Sequence, residues 1–486
     1  MNDALANCEP AVLWRHFEAI TRIPRCSKKE AAVREYVIDQ ASRLGLKHRT
    51  DATGNVVVAR PASPGYEDRP VVVLQGHLDM VCEKNMGVEH DFERDPITLV
   101  RDGDWVRAAD TTLGADNGVA VAMMLALLEG HEPTGPLECL FTVDEETGLT
   151  GALQLDPSIL TGRILINLDS EEEGFFCIGC AGGKNSYISA PVVFEESPAE
   201  GATGFRLDVR GLRGGHSGAE IHEQRGNALI IGGRLLNALR GAVPTVRIAA
   251  IRGGDKHNAI PRELRVDVRV PSGDAAALSG AVDRFRTTVL AEYRGHEDGL
   301  EIAVEEIPAP GRVLAGDSGD LLCHLLGAIP HGVLGMSREV AGLVETSTNL
   351  ASIMIEGSEL KILASQRSNR QSLIDWASGI LASIAALAGV SYRAAEGYPA
   401  WTPDPESALL ETCRTVYRQE NGVDPEVGAF HAGLECGVIG DKIPGMEMIS
   451  FGPDLKEVHT PDERLSIPST ERVYHLLVKI LQRIGA

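Results

Sequence analysis

The sequence predicts an α/β fold: one helix-covered sheet domain is divided along the chain by an inserted α+β domain. Three observations carry this. Short, wholly apolar runs alternate with a helical pattern up to about residue 170. From about residue 186 the runs become amphipathic strands and long helices, and after the Pro-rich segment 394–407 the first pattern returns. The segments are therefore 1–185, 186–395 as the insertion, and 396–486.

In chain order, residues 11–45 read as two helices, the second closing on Gly45. Strands follow at 55–60, 71–76, 137–143 and 163–168. Between the second and third lies DNGVAVAMMLALLEG, a helix that Asp116 can cap and Gly130 can end. In the insertion, FRLDVRG, VRIAAIRGG and RELRVDVRV alternate as strands do, with the helix GNALIIGGRLLNALR after the first. A second series follows: helix 318–327, strands near 343–355 and 359–366, and helix 370–388. The last segment holds helix 408–420, the strand EMISFG and the helix TERVYHLLVKILQRI.

Composition limits the function classes. The 486 residues are 43% hydrophobic and 24% charged, as in a folded soluble chain. A net charge of −23 without a basic run argues against nucleic-acid binding. No basic start with an apolar core marks the N-terminus for export, and the longest apolar runs, 119–128 and 380–390, fall short of a bilayer span. Nine scattered cysteines fit reduced thiols, so a cytoplasmic protein without membrane contact is expected.

Chemistry gathers at strand ends. His77 and Asp79 close VVVLQGHLDM, and residues two apart in an extended chain point to the same side. Asp116 sits at a helix entrance in TTLGADNG; Glu145 and Glu146 follow a strand in FTVDEETG; Asp169 ends RILINLDS; His459 lies in EVHTPDE. Singly, each has a plain reading as a cap or a solvated turn. Together they recur at the carboxyl ends of apolar strands, where open α/β sheets place their ligand crevice. Two histidines with three carboxylates exceed one ion's share of protein ligands and suit two metals if one carboxylate bridges.

QGHLDMV, LGADNGV, DEETGLTGA, NLDSEEEG, GCAGG, GGHSG, HAGLECG and HTPDERL occur in the order used by the M20 family of di-zinc metallopeptidases, which the chain resembles over nearly its whole length. The resemblance implies a mixed-sheet catalytic domain of the zinc-peptidase phosphorylase/hydrolase kind, with the insertion as its lid. It implies dipeptide hydrolysis, Xaa-His dipeptides included, by a metal-activated water. The cofactors would be two divalent ions, zinc first, with cobalt or manganese as alternatives. His77 and Asp169 would hold different ions, Asp116 would bridge them, and Glu146 and His459 would complete the set. Asp79 would orient His77, and Glu145 would be the general base and acid.

On the lid, the resemblance makes His216 a donor to the oxyanion, and Asn258 and Arg367 substrate-positioning residues, with Arg370 a competitor for the role of gripping a carboxylate. His431 and Glu435 match a substrate-side loop of the catalytic domain, Glu435 holding the substrate's amine or forming a buried structural pair with His431. Cys177 and Cys180, a lone CxxC, read as packing. Two rivals remain at this point: an N-acyl amino acid deacylase on the same core, and a binding protein that has kept the scaffold without turnover. A homodimer is left open.

Overall fold

The computed structural model describes residues 3–486, which divide into two compact units. The first takes the chain up to Cys180, then Trp401–Ala429 and Leu434–Ala486; the second takes Ala181–Ala400 and Phe430–Gly433. The short strip at 430–433 carries His431, read from sequence as part of the first domain, into the second unit.

The first unit is built on an eight-stranded mixed sheet. Its centre is parallel: Leu137–Thr142, Val72–His77, Ile164–Asn167 and Glu447–Ser450 lie side by side in that order. Val72–His77 and Leu137–Thr142 are buried at every residue. That is why their sequences are continuous apolar runs rather than alternating ones. Ala115–Glu129 packs beside Val72–His77 and is buried almost all round, as its uninterrupted VAVAMMLALL requires. A smaller four-stranded sheet pairs Arg464–Ser466 with Trp105–Ala108.

Register decides where the chemistry falls. His77 pairs with Thr142, and Gln75 pairs with Asn167. The chain leaving Thr142 therefore reaches Glu145 and Glu146, and the chain leaving Asn167 reaches Asp169, at the same end of the sheet as His77.

The second unit has a nine-stranded antiparallel sheet, with Val344–Glu356 and Glu359–Ser368 as a long central hairpin. The core residues Leu229, Leu235 and Leu236 of Ala228–Ala242 join Val266, Val268 and Ile353 of the sheet. Gln371–Ala388 is long and apolar enough to span a bilayer by length and composition, and it lays Ile374, Ala377, Leu381 and Ala385 onto its own unit. The strands Phe175–Cys180 and Gly182–Pro191 went unread in the sequence, because the small residues around GCAGG obscure their period.

The reading of reduced thiols needs correction. Cys26 and Cys82 form a disulfide, with Cα atoms 5.8 Å apart. Cys26 and Met80 are paired as a β-bridge, and the Met80 amide donates to the Arg25 carbonyl at 3.2 Å, which brings the two sulfurs within bonding reach. A separation of 56 residues left no local signal for this. The other seven cysteines are buried and form no disulfide.

Candidate metal centre and active site

His77, at the last position of its strand, is buried and directs Nε2 at the Asp116 carboxylate, 3.0 Å from Oδ1, with Asp169 Oδ1 at 3.5 Å. His459 Nε2 meets the other Asp116 oxygen at 3.0 Å and Glu146 Oε2 at 3.0 Å. Two triads result, His77/Asp116/Asp169 and Asp116/Glu146/His459, each with its donor atoms within 4.8 Å of one another. Asp116 belongs to both.

Asp116 does not cap its helix. It has φ −78° and ψ 108°, outside the helical range, and the peptide bond to Asn117 is cis. Asn117 then braces both neighbouring strand ends: its Oδ1 accepts from the His77 amide at 3.3 Å, and its Nδ2 donates to the Leu168 carbonyl at 3.0 Å. A Cβ on Gly76 would stand 2.4 Å from Asn117 Oδ1, so only glycine admits this approach.

Asp79 is buried beside His77, Oδ1 lying 3.2 Å from Nδ1. The same carboxylate accepts from the amides of Glu145 (3.0 Å) and Glu146 (3.2 Å) and from the Ser27 hydroxyl (2.8 Å). One side chain thus lies against the imidazole and holds the backbone of both acids. Burial opposes its ionisation, yet His77 and these donors hold its pKa down to about 2.

The electrostatics of the cages reflect crowded carboxylates. Burial pushes Glu145 well above the usual range, with Asp169, Glu435 and Glu146 adding to the rise against His77. Burial and neighbouring acids raise Asp169 to about 6. Hydrogen bonds to Asp116 and Glu146 raise His459 to about 11. Buried Asp169 Oδ1 and Glu146 Oε1 have no hydrogen-bond partner, an arrangement that costs about 1–3 kcal/mol per group when nothing else satisfies it. Imidazole and carboxylate donors, a shared carboxylate and orphaned buried oxygens fit a pair of divalent cations.

The second unit gathers a different set. His216 Nδ1 accepts from the amides of Gly218 (3.3 Å) and Ala219 (2.9 Å), so a neutral ring carries its proton on Nε2. Burial and the Arg367 charge lower its pKa to about 4. Arg367 is 6% exposed; it donates from Nη1 to the Tyr398 hydroxyl at 2.5 Å, and its Nε has no hydrogen-bond partner. Arg370, its competitor, is already engaged by Glu345 (3.0 Å) and Glu339 (2.7 Å). His431 Nε2 lies 2.7 Å from the Ser347 hydroxyl, and burial followed by Arg367 drives its pKa down to about 3. A Cβ on Gly218 would fall 2.3 Å from the His431 carbonyl and 3.1 Å from Arg367 Nε, so the His216 loop closes onto both. Asn258 is exposed; its carbonyl accepts from the Ser217 amide at 2.8 Å.

Glu435, read as the holder of the substrate's amine, is fully buried in the first unit, Oε2 accepting from Gln75 (2.6 Å) and the Thr142 hydroxyl (2.7 Å) while Oε1 has no hydrogen-bond partner, and burial raises it to about 7. It does not form the alternative buried pair with His431, whose side chain bonds Ser347 in the second unit. Cys177 and Cys180 are fully buried in their strand, as packing residues are.

Two residues of the first unit escaped the sequence reading. Arg25, fully buried, donates to the carbonyls of Leu78 (2.9 Å), Asp79 (2.8 Å) and Gly114. Glu463 accepts from four successive amides, Leu113 to Asp116. A glutamate four residues past a candidate ligand, inside HTPDERL, was the available signal for the second.

Known proteins share this architecture. The pattern of peptidase family M20/M25/M40 matches residues 73–483. The chain is 38% identical to the cytosol non-specific dipeptidase of Escherichia coli (strain K12), over 99% of both proteins. The crystal structure of aminoacylhistidine dipeptidase from Vibrio alginolyticus superposes with a TM-score of 0.91 at 39% identity, covering 99% of this chain and 98% of that one. An aminopeptidase from Bacillus cereus shares the fold at 15% identity, with a TM-score of 0.53 over 99% of this chain and 100% of its own.

Proposed function

This chain belongs to peptidase family M20/M25/M40, and from that premise we propose that it hydrolyses dipeptides, Xaa-His dipeptides among them, at the paired cages. The observation that carries the reading is Asp116, whose two oxygens each stand 3.0 Å from a different histidine while Glu145 lies at the same strand ends. His77 and Asp169 would hold one divalent ion, Glu146 and His459 the other, and Asp116 both, with zinc the first choice of metal. Such ions supply Lewis-acid polarisation of the amide and acidification of water.

The protein's own groups do the rest. Asp79 keeps the His77 ring turned so that Nε2 faces the cage. Glu145, held by its backbone to the Asp79 carboxylate, takes a proton from the attacking water and returns one to the leaving amine. Its burial favours the protonated form, which suits the second of these tasks.

In the second unit, the neutral His216 has an Nε2–H to offer an oxyanion. Arg367, with an unpaired Nε, suits the free carboxylate of a short peptide. Asn258 would take part through its exposed amide, and His431 would hold the Ser347 side of that cluster. The Escherichia coli relative is named for the cytosol, and we extend that location to this chain.

The test is direct. Chelation should abolish hydrolysis of a dipeptide panel, and zinc, cobalt or manganese should restore it. Turnover that survives full removal of metal would sink the reading. N-acyl amino acids run beside the peptides separate a dipeptidase from a deacylase, and metal binding without turnover on either panel would leave only a binding protein.

A further inference from the structure

Asp116 can serve two cages only if its loop is held so that both oxygens stay aimed. Its backbone leaves the helical range, so helix hydrogen bonding does not hold it. The buried carboxylate of Glu463 does. Oε2 accepts from the amides of Leu113 (2.8 Å) and Gly114 (3.0 Å), and Oε1 accepts from those of Ala115 (2.7 Å) and Asp116 itself (3.3 Å). Four consecutive donors on one anion leave this loop little freedom to turn.

Glu463 also belongs to the loop that presents His459. Its own amide donates to the Thr460 carbonyl at 3.1 Å, and the Thr460 hydroxyl donates to the Glu457 carbonyl at 2.7 Å. Glu457 and His459 both adopt left-handed φ values, 54° and 62°, which non-glycine residues hold only when their surroundings impose them. On its other side Glu463 runs into Arg464–Ser466, a strand paired with Trp105–Ala108. One side chain therefore ties the loop bearing Asp116 to the loop bearing His459.

We propose that Glu463 is a positioning residue that sets Asp116 and His459 in register for the second cation. It touches neither ion nor substrate and acts through the four amides. This inference rests on the dinuclear reading above. It also differs from a plain stabilising role, for which the fold supplies a comparison. Buried Glu138 accepts from the amides of Thr161 (2.7 Å) and Gly162 (3.0 Å), yet belongs to neither cage.

The experiment strips metal from the full chain and titrates cobalt, following its visible absorption. Wild type should take two ions. Glu463→Gln keeps the size but turns an NH2 group toward two of the four amides, and should bind the second cobalt about 10- to 100-fold more weakly, with an altered spectrum. Glu463→Asp, which keeps the charge at shorter reach, should fall between. Glu138→Gln should melt earlier but titrate as wild type.

Two equally tight ions in both Glu463 variants overturn the inference alone. Loss of fold in both of them, while Glu138→Gln still folds, assigns the carboxylate to the fold and overturns it as well. Fewer than two ions in the wild type overturns the dinuclear reading and takes this one with it.

Discussion

Histidine serves both units, and its surroundings move it in opposite directions. In the first, burial resists the protonation of His77, but Asp169, Asp116 and Asp79 outweigh it and raise the pKa well above 6.5. Its counterpart His459 rises to about 11 on its hydrogen bonds to Asp116 and Glu146. In the second unit, burial and Arg367 take His216 down to about 4 and His431 to about 3. The difference teaches what each region awaits. A nest of carboxylates calls for positive charge, as the proposed cations would supply; neutral imidazoles beside a guanidinium leave a positive charge without a counter-ion, which the proposed reading matches to a negative substrate group.

Substitutions should separate these two characters. Asp116→Ala removes a donor from both cages and is expected to have the largest effect, loss of both ions and of turnover to background. Metal content by mass spectrometry and hydrolysis should fall together, and a variant that keeps two ions would break the comparison at its centre. Glu145→Gln comes next: catalysis should drop by about 10²- to 10⁴-fold, the usual worth of a proton-transferring side chain, with both ions retained. Arg367→Ala, in the other region, should leave metal content and fold intact and raise KM by about 10- to 100-fold, the loss of a charge-assisted hydrogen bond of roughly 1.5–3 kcal/mol. Should kcat fall while KM stays put, the guanidinium is not a substrate grip.

The two regions also differed in how far they were legible. The strand-end acids and histidines could be read because parallel pairing is a regular rule: His77 beside Thr142 and Gln75 beside Asn167 carry the residues beyond them to one edge. Glu463 could not be read, since its partners lie almost 350 residues away and are backbone amides, which carry no residue identity. Arg25 was hidden for the same reason, bonding only to carbonyls among the contacts that place it. The Cys26–Cys82 pair and the passage of His431 into the second unit depend on tertiary pairings that no local period announces. In the second unit His216 and Arg367 stood out only through the family resemblance, and what the structure adds is that Arg370 is engaged and Arg367 has a spare donor.

The smallest expected effect tests the depressed histidines through acid stability. Below the unfolded value of about 6.5, the unfolded chain binds protons that folded His431 and His216 refuse until pH approaches 3 and 4. The unfolded state therefore carries more protons across that window, and stability rises with pH through it. This contribution is fully present above about pH 6.5 and lost as pH falls toward the folded values. For His431 it amounts to about 1–3 kcal/mol between about pH 7 and about pH 4.5, allowing for partial relaxation of the site. His431→Gln, which keeps a polar atom near Ser347 but cannot titrate, should lose less stability than wild type over the same interval in urea unfolding. Parallel losses in the two proteins would mean that His431 is not held neutral by burial and Arg367, and the contrast between the regions would then rest on His216 alone.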